Sequence, residues 1–277
     1  MKIIKTISEI TQFLQQVKQQ SIGFVPTMGA LHAGHLSLIQ MSKTKTDITI
    51  CSIFINPIQF NKKEDLDNYP RTLDADIQKL EKENCDVLFL PNVSEMYPTN
   101  KLNTYNFGAI ATVMEGAFRP GHFDGVANVI QRFFEIIKPT YAFFGEKDFQ
   151  QLAVVKELTK QLNLSVKIVG CPIYREPGGL AMSSRNERLS PIERTQASII
   201  YKTLQKIKNE YSAYTSQQAK EKFNSAMRQA GFVPEYIEFA DGNTLQPIEN
   251  WNETSNCFAF VAVNVGNVRL IDNLSIF

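Results

Sequence analysis

Hydrophobic positions along this chain take two alternating forms: short unbroken apolar runs, and longer stretches whose apolar residues recur with helical spacing. Residues 8–20 set Ile10, Phe13, Leu14 and Val17 on one stripe and predict an amphipathic helix capped by Ser8. The run Ile22 to Val25 predicts a buried strand, with Pro26 and Gly29 breaking it before a helix over 32–41 that aligns Leu36, Leu38 and Ile39. Residues 47–56 form a continuous β-branched and aromatic run, the pattern of a strand covered on both faces. The polar stretch 61–68 then predicts a loop over the sheet edge. Helices are expected over 72–84, 123–138 and 149–162, the second closed by Pro139, and strands over 87–90, 141–144 and 165–169.

Strands alternating with helices of this length imply right-handed crossovers and a parallel sheet, an α/β architecture. Beyond residue 190 the order changes. Helices over 193–211 and 216–229 precede a strand over 235–239 and two apolar runs, 257–265 and 268–271, that flank Asn264-Val-Gly-Asn267 like a hairpin. The expected organisation is an α/β domain over 1–175, a mobile hinge loop over 176–185, and a small α+β domain over 186–277.

Composition narrows the functional classes. The 277 residues carry 29 Lys and Arg against 28 Asp and Glu, a formal charge of +1 that argues against a nucleic-acid footprint or a polybasic membrane patch. The four cysteines are widely spaced and mostly in or beside apolar runs, so buried reduced thiols are expected rather than a disulfide framework or a metal cluster. No apolar stretch of signal-peptide length opens the chain and no window is long enough to span a membrane, so a soluble cytoplasmic protein is expected.

In open parallel sheets ligands bind beyond the carboxyl ends of the strands. The chemically loaded segments all follow predicted strands, so four of them are expected to converge on one cleft. In Pro26 to His35, two of the chain's three histidines, His32 and His35, share one face of a first helical turn with Gly34 between them. A helix N-terminus there offers N–H groups and a positive dipole end to phosphate. In Gly145-Glu-Lys-Asp148, Lys147 is a positive charge and Asp148 can cap a helix or accept from a ribose. Met182-Ser-Ser-Arg-Asn186 follows Pro177-Gly-Gly179 and sets two hydroxyls and a guanidinium on a loop suited to phosphates; an ordinary polar linker has the same composition. Asn56-Pro-Ile-Gln-Phe60 offers two amides, which orient hydroxyls and carboxylates without titrating. Arg119, His122, Asp74 and Asp76 read as structural, the two aspartates complementing a helix dipole, although Asp76 remains a candidate Mg²⁺ ligand.

These motifs carry a resemblance. His32-Ala-Gly-His35 resembles the HxGH signature of the nucleotidylyltransferase superfamily, and Met182-Ser-Ser-Arg185 resembles the mobile second signature that class I aminoacyl-tRNA synthetases carry as a lysine-serine loop. Together with Phe54-Ile-Asn-Pro-Ile-Gln-Phe60, Tyr69-Pro-Arg-Thr72, Phe143-Phe-Gly-Glu-Lys-Asp-Phe-Gln-Gln151 and Gly179-Leu-Ala-Met182, they are similar to the family of pantoate:β-alanine ligases, the pantothenate synthetases, over nearly the whole chain.

The resemblance implies a Rossmann-like domain with a C-terminal lid, ATP as co-substrate with Mg²⁺ as its counter-ion, and a homodimer. It implies formation of pantoyl adenylate from pantoate and ATP, then attack by β-alanine. Met28, Gly29, Ala30, Leu31, His32, Ala33, Gly34 and His35 would line the ATP site, His35 as a proton donor, with His32 and Lys147 stabilising phosphate charge. Gly145, Glu146, Asp148 and Tyr174 would hold the nucleoside, and Met182, Ser183, Ser184 and Arg185 would close over the triphosphate. Asn56, Gln59, Gln151 and Met28 would hold pantoate, Gln59 also meeting β-alanine. Three positions depart from the family pattern: Gly178 stands where an acidic residue is usual, Tyr174 where a small aliphatic residue is usual, and Ala75 where some members have a carboxylate. A nucleotidylyltransferase that leaves NMP on a phosphorylated acceptor, a tRNA-binding synthetase relative and a non-catalytic ATP sensor are the alternatives.

Overall fold

The computed structural model of the chain describes residues 1–61, 63–99 and 101–277; Lys62, inside the expected loop 61–68, lies outside them. The chain forms two compact units, the first comprising Met1–Phe107, Arg119–Glu146 and Gln151–Pro172, the second Gly108–Phe118, Lys147–Gln150 and Ile173–Phe277.

The first unit is built on β1 (Lys2–Ile4), β2 (Ile22–Thr27), β3 (Ile48–Ile53), β4 (Val87–Phe89), β5 (Tyr141–Gly145) and β6 (Lys167–Cys171). They pair in the order β1-β4-β3-β2-β5-β6, with every pairing parallel. Between them run α1 (Ile7–Gln16), α2 (Ala33–Lys45), α3 (Lys63–Asp67), α4 (Leu73–Lys82) and α5 (Val93–Met96). After α6 (Glu115–Phe118), which belongs to the second unit, come α7 (His122–Ile137) and α8 (Phe149–Gln161). The period-two alternation of a strand explains the unbroken apolar run of β2. Val25 packs with Leu38, Ile39 and Leu80 on one face, while the Phe24 ring meets Phe133 and Phe134 of α7 on the other, at 5.1 and 6.5 Å between centroids.

Beyond this sheet, the second unit contains α9 (Pro191–Gln196), α10 (Ile199–Glu210) and α11 (Ser216–Gln229), with β7 (Val233–Asp241), β8 (Cys257–Val265) and β9 (Val268–Ser275) in one antiparallel sheet. Leu204, Ile207, Phe223 and Met227 from the helices and Ala259, Val261 and Val263 from β8 share its core. Val265 pairs with Val268, so the β8–β9 hairpin turns on Gly266 and Asn267 alone.

Several expectations are corrected in detail. The first helix starts one residue before Ser8 and is capped by Thr6, whose hydroxyl accepts from the Glu9 N–H while the Glu9 carboxylate accepts from the Thr6 N–H. Pro26 does not end β2; it pairs opposite Ser52, and its missing N–H falls on the β5 side, where the ladder has already stopped at Phe24 and Ala142. The stretch after Asn61 contains the short α3 in place of a continuous loop. The helix expected over 193–211 is two helices, because Ser198 directs both its N–H and its hydroxyl to the Thr195 carbonyl and interrupts the regular ladder.

Candidate active site

The strand β2 delivers its chain into a turn that the sequence would not adopt unaided. Gly29 and Ala30 both take positive φ, +83° and +50°, and at Ala30 this left-handed conformation carries a steric cost. The turn is held from two sides. Thr27 Oγ1 donates to the Ser52 carbonyl at 2.7 Å and accepts from the Gly29 N–H at 3.2 Å. From α4, the fully buried Asp76 accepts the Ala30 N–H through Oδ2 at 2.8 Å and the Leu31 N–H through Oδ1 at 2.7 Å. Thr72 Oγ1 also donates to Asp76 at 3.2 Å, and Lys79 donates to the Leu31 carbonyl at 2.6 Å.

This geometry gives Asp76 a bracing role. Both its oxygens face backbone donors, and among the described residues no group of three His, Cys, Asp or Glu side chains is placed to hold a metal ion. The described residues around Asp76 therefore do not by themselves build a site for a resident metal.

His32 stands at the N-cap of α2 with extended backbone, and its carbonyl accepts from His35 and Leu36. The two imidazoles lie side by side, 4.0 Å between centroids and tilted by 33°. The backbone N–H of His32 donates to Nδ1 of His35 at 3.3 Å. An imidazole nitrogen that accepts carries no proton, so the neutral His35 ring bears its proton on Nε2 and is a donor there.

The amides expected to hold an acid substrate cluster in the same unit. Asn56 stands at the N-cap and Gln59 at the end of the 3-10 turn Pro57–Gln59 that follows β3, and both are buried. Asn56 Nδ2 donates to Gln59 Oε1 and to the Gly125 carbonyl, each at 3.1 Å, and Tyr97 OH donates to Asn56 Oδ1 at 2.9 Å. Gln59 Nε2 lies 3.0 Å from Met28 Sδ. Helix α7 approaches this turn so closely that a Cβ on Gly125 would stand 2.6 Å from the Gln59 Cα and the Ile58 carbonyl oxygen. His122 Nδ1 lies 2.9 Å from the Gln59 carbonyl, the structural role the sequence suggests for it.

Gly145 ends β5, and a Cβ built on it would meet nothing within 4 Å. Glu146 follows with its carboxylate turned toward Gly170 of β6. Gln151 is half-buried in the first turn of α8.

The remaining expected residues lie in the second unit. Lys147 is largely buried, its ammonium 3.6 Å from the exposed Asp148 carboxylate, and its carbonyl accepts from Asn273 Nδ2 of β9 at 3.0 Å. Tyr174 is 46 % exposed and opens a short hairpin, bridged between Arg175 and Ala181, where a hinge loop was expected. Its base is pinned: Arg175 donates to both oxygens of the buried Asp272, at 2.7 and 2.9 Å, and stacks 3.8 Å over the Tyr201 ring. Glu176 receives Arg194 and Asn186. Met182 follows, then Ser183, whose hydroxyl accepts the Arg185 N–H at 3.2 Å to cap the 3-10 turn Ser184–Arg188. Ser184 is buried and Arg185 half-buried.

Asp76 as a brace, Tyr97, and the Asp272-Asn273 pair are the residues that sequence reasoning missed. Only the last carried a visible signal, two adjacent polar residues between the apolar Leu270-Ile271 and Leu274, which need partners when buried.

Comparison with known proteins shows the family of the chain. The family model described as pantoate-beta-alanine ligase matches residues 2–275. Pantothenate synthetase of Azobacteroides pseudotrichonymphae is 48 % identical over 279 residues, covering 99 % of this chain and 100 % of the relative. The crystal structure of pantothenate synthetase from Thermus thermophilus superposes with a TM-score of 0.93 at 37 % identity, covering 100 % of both chains. That of pantoate-beta-alanine ligase from Francisella tularensis, complexed with an ATP compound and β-alanine, gives 0.85 at 39 % identity, covering 100 % of this chain and 98 % of the other.

Proposed function

This chain belongs to the pantoate-beta-alanine ligase family, and from that premise we propose how its residues divide the work of an AMP-forming ligase. The reaction has two displacements. A pantoate carboxylate oxygen attacks the α-phosphorus of ATP, forming pantoyl adenylate as diphosphate leaves. The β-alanine nitrogen then attacks the acyl carbon, forming the amide of pantothenate as AMP leaves and the nitrogen gives up its proton.

The observation that carries the proposed roles is the two-histidine turn, in which His35 presents a proton-bearing Nε2. That donor faces charge developing on the α-phosphate oxygens, where preorganised electrostatics contribute most. His32 and Lys147 are assigned to stabilising phosphate charge, and Met28 to Gly34 supply the turn. Gly145, whose Cα face is open, lets the ribose approach, with Asp148 as its acceptor. Glu146 and Tyr174 are assigned to the nucleoside, Tyr174 by backbone, and Met182 to Arg185 to the triphosphate. Asn56, Gln59 and Gln151 hold pantoate, and Gln59 also meets β-alanine. Mg²⁺ enters as the counter-ion of ATP, carried by the nucleotide.

Assembly as a homodimer and residence in the cytoplasm are part of the same proposal, the first from the family resemblance, the second supported by four free, buried cysteines. Among the described residues no helix is long and apolar enough to cross a membrane.

Exchange of labelled diphosphate into ATP tests the reading directly: exchange requires pantoate and does not require β-alanine. Exchange independent of pantoate would overturn it, and a stable nucleotidyl product in place of AMP would favour the nucleotidylyltransferase alternative.

A further inference from the structure

The amides around Gln59 have only one consistent orientation. The Gly125 carbonyl can only accept, so the end of Asn56 facing it at 3.1 Å is the Nδ2 amine. Oδ1 of Asn56 therefore faces Tyr97, and the phenol is the donor across that 2.9 Å contact. The second N–H of Asn56 goes to Gln59 Oε1 at 3.1 Å, which occupies the only acceptor of the Gln59 side chain facing Asn56. Gln59 is left with its Nε2 amine, 3.0 Å from the Met28 sulfur. A thioether is a weak acceptor, so an oxygen of an incoming substrate outcompetes it. The Gln59 backbone is fixed as well, its carbonyl against the His122 ring and its N–H on Asn56.

We infer that Tyr97 is a positioning residue for the acid substrate: the Gly125 carbonyl fixes which end of Asn56 donates, and Tyr97 anchors the opposite end of that amide, and through it the Gln59 side chain, so that a donor faces the substrate. This rests on the assignment of Gln59 to pantoate made above. It also assigns polarity to the subsite. Gln59 meets a hydroxyl or carboxylate oxygen of pantoate, or the carboxylate of β-alanine, and does not receive the ammonium group. Tyr97 suits the task because burial pushes its phenol well above its ordinary pKa, so the proton it donates is retained across the working range. Its ring packs on Phe54, 6.2 Å between centroids, independently of the hydroxyl.

The test uses the full-length enzyme and steady-state kinetics with pantoate and ATP varied separately. Tyr97→Phe keeps the ring and removes the donor. Losing one buried hydrogen bond raises the pantoate KM by about five- to tenfold and leaves the ATP KM within about twofold. Asn56→Asp has no N–H to give Gln59 or Gly125, so Gln59 turns its amine inward and its acceptor outward, and the pantoate KM rises roughly a hundredfold with the ATP KM again little changed. A Tyr97→Phe enzyme whose pantoate KM stays within about twofold of the parent, or whose two KM values rise together, overturns the inference. The two readings fail separately. Loss of pantoate dependence in the parent enzyme strikes the function, whereas pantoate-dependent exchange with an unmoved pantoate KM in Tyr97→Phe strikes only the relay.

Discussion

The backbone N–H of His32 donates to Nδ1 of His35, 3.3 Å away, so the neutral His35 ring is a donor at Nε2. Replacing His35 by Ala removes that donor and lowers pantoate-dependent diphosphate exchange by roughly a hundredfold or more. His35→Gln, whose amide nitrogen reaches near the Nε2 position, retains more exchange than His35→Asn, whose amide stops near Nδ1. Equal loss in the two variants would contradict the assigned nitrogen. Lys147→Ala is expected to lose about as much as His35→Ala, since it removes a positive charge that stabilises the phosphates.

Asp76 separates a bracing role from a metal-binding one. In Asp76→Asn one carboxylate oxygen becomes an amine set against a backbone N–H, and leaving that buried donor unsatisfied destabilises the fold by about 1–3 kcal/mol in urea unfolding. The Mg²⁺ concentration that half-activates exchange stays where it is in the parent. A large rise in that concentration would restore the carboxylate to the ion. At the neighbouring Ala30, with φ of +50°, Ala30→Gly should leave stability unchanged or raise it by up to about 1 kcal/mol.

Gly125→Ala probes the contact of α7 with the Gln59 turn. The added methyl would sit 2.6 Å from two backbone atoms, so the turn or the helix has to move. A destabilisation of about 1–3 kcal/mol is expected, as for other overpacked sites, together with a raised pantoate KM. Normal kinetics in this variant would show that the close approach has no bearing on the substrate.

Removal of the Asp272 carboxylate leaves the Arg175 guanidinium, whose side chain is 15 % exposed, without its bidentate partner. Asp272→Ala is expected to cost about 3–5 kcal/mol, the range for breaking a buried pair from one side. Chemical denaturation measures it, and a loss below about 1 kcal/mol would mean that solvent reaches the guanidinium.

Burial pushes the thiols of Cys85 and Cys171 up to about 11 and that of Cys257 up to about 12. In the unfolded chain they ionise near about 8.5, so above that pH the unfolded state has released protons that the folded state retains. Stability is therefore intact at neutral pH and declines as pH rises through 9 toward 11. The half-buried phenols of Tyr97 and Tyr236, also pushed up by desolvation, add to the same decline. Unfolding midpoints at pH 8 and pH 10.5 measure the slope, which should shrink when the three cysteines are replaced by alanine.

Long, strongly patterned segments were legible: residues 216–229 and 257–265 carry enough repeats of one period to mark their own ends. Three-residue β1 was not, because Lys2 to Ile4 is too short to display an alternation and becomes a strand only by pairing with Val87–Phe89. Pro26 misled because its cost depends on which neighbour its missing N–H would face, and that is a property of the sheet. The two-histidine turn was found from its own residues, but the relay through Tyr97, Asn56 and Gln59 joins positions up to 41 apart whose side chains announce nothing individually.

A peptide copying residues 26–35 would carry both imidazoles and still lose their arrangement. The curvature at Gly29 and Ala30 is written partly at position 76, in a helix that such a peptide lacks. Transplanting the motif into another scaffold therefore requires two fragments, and drift at Asp76 can silence histidines that remain untouched.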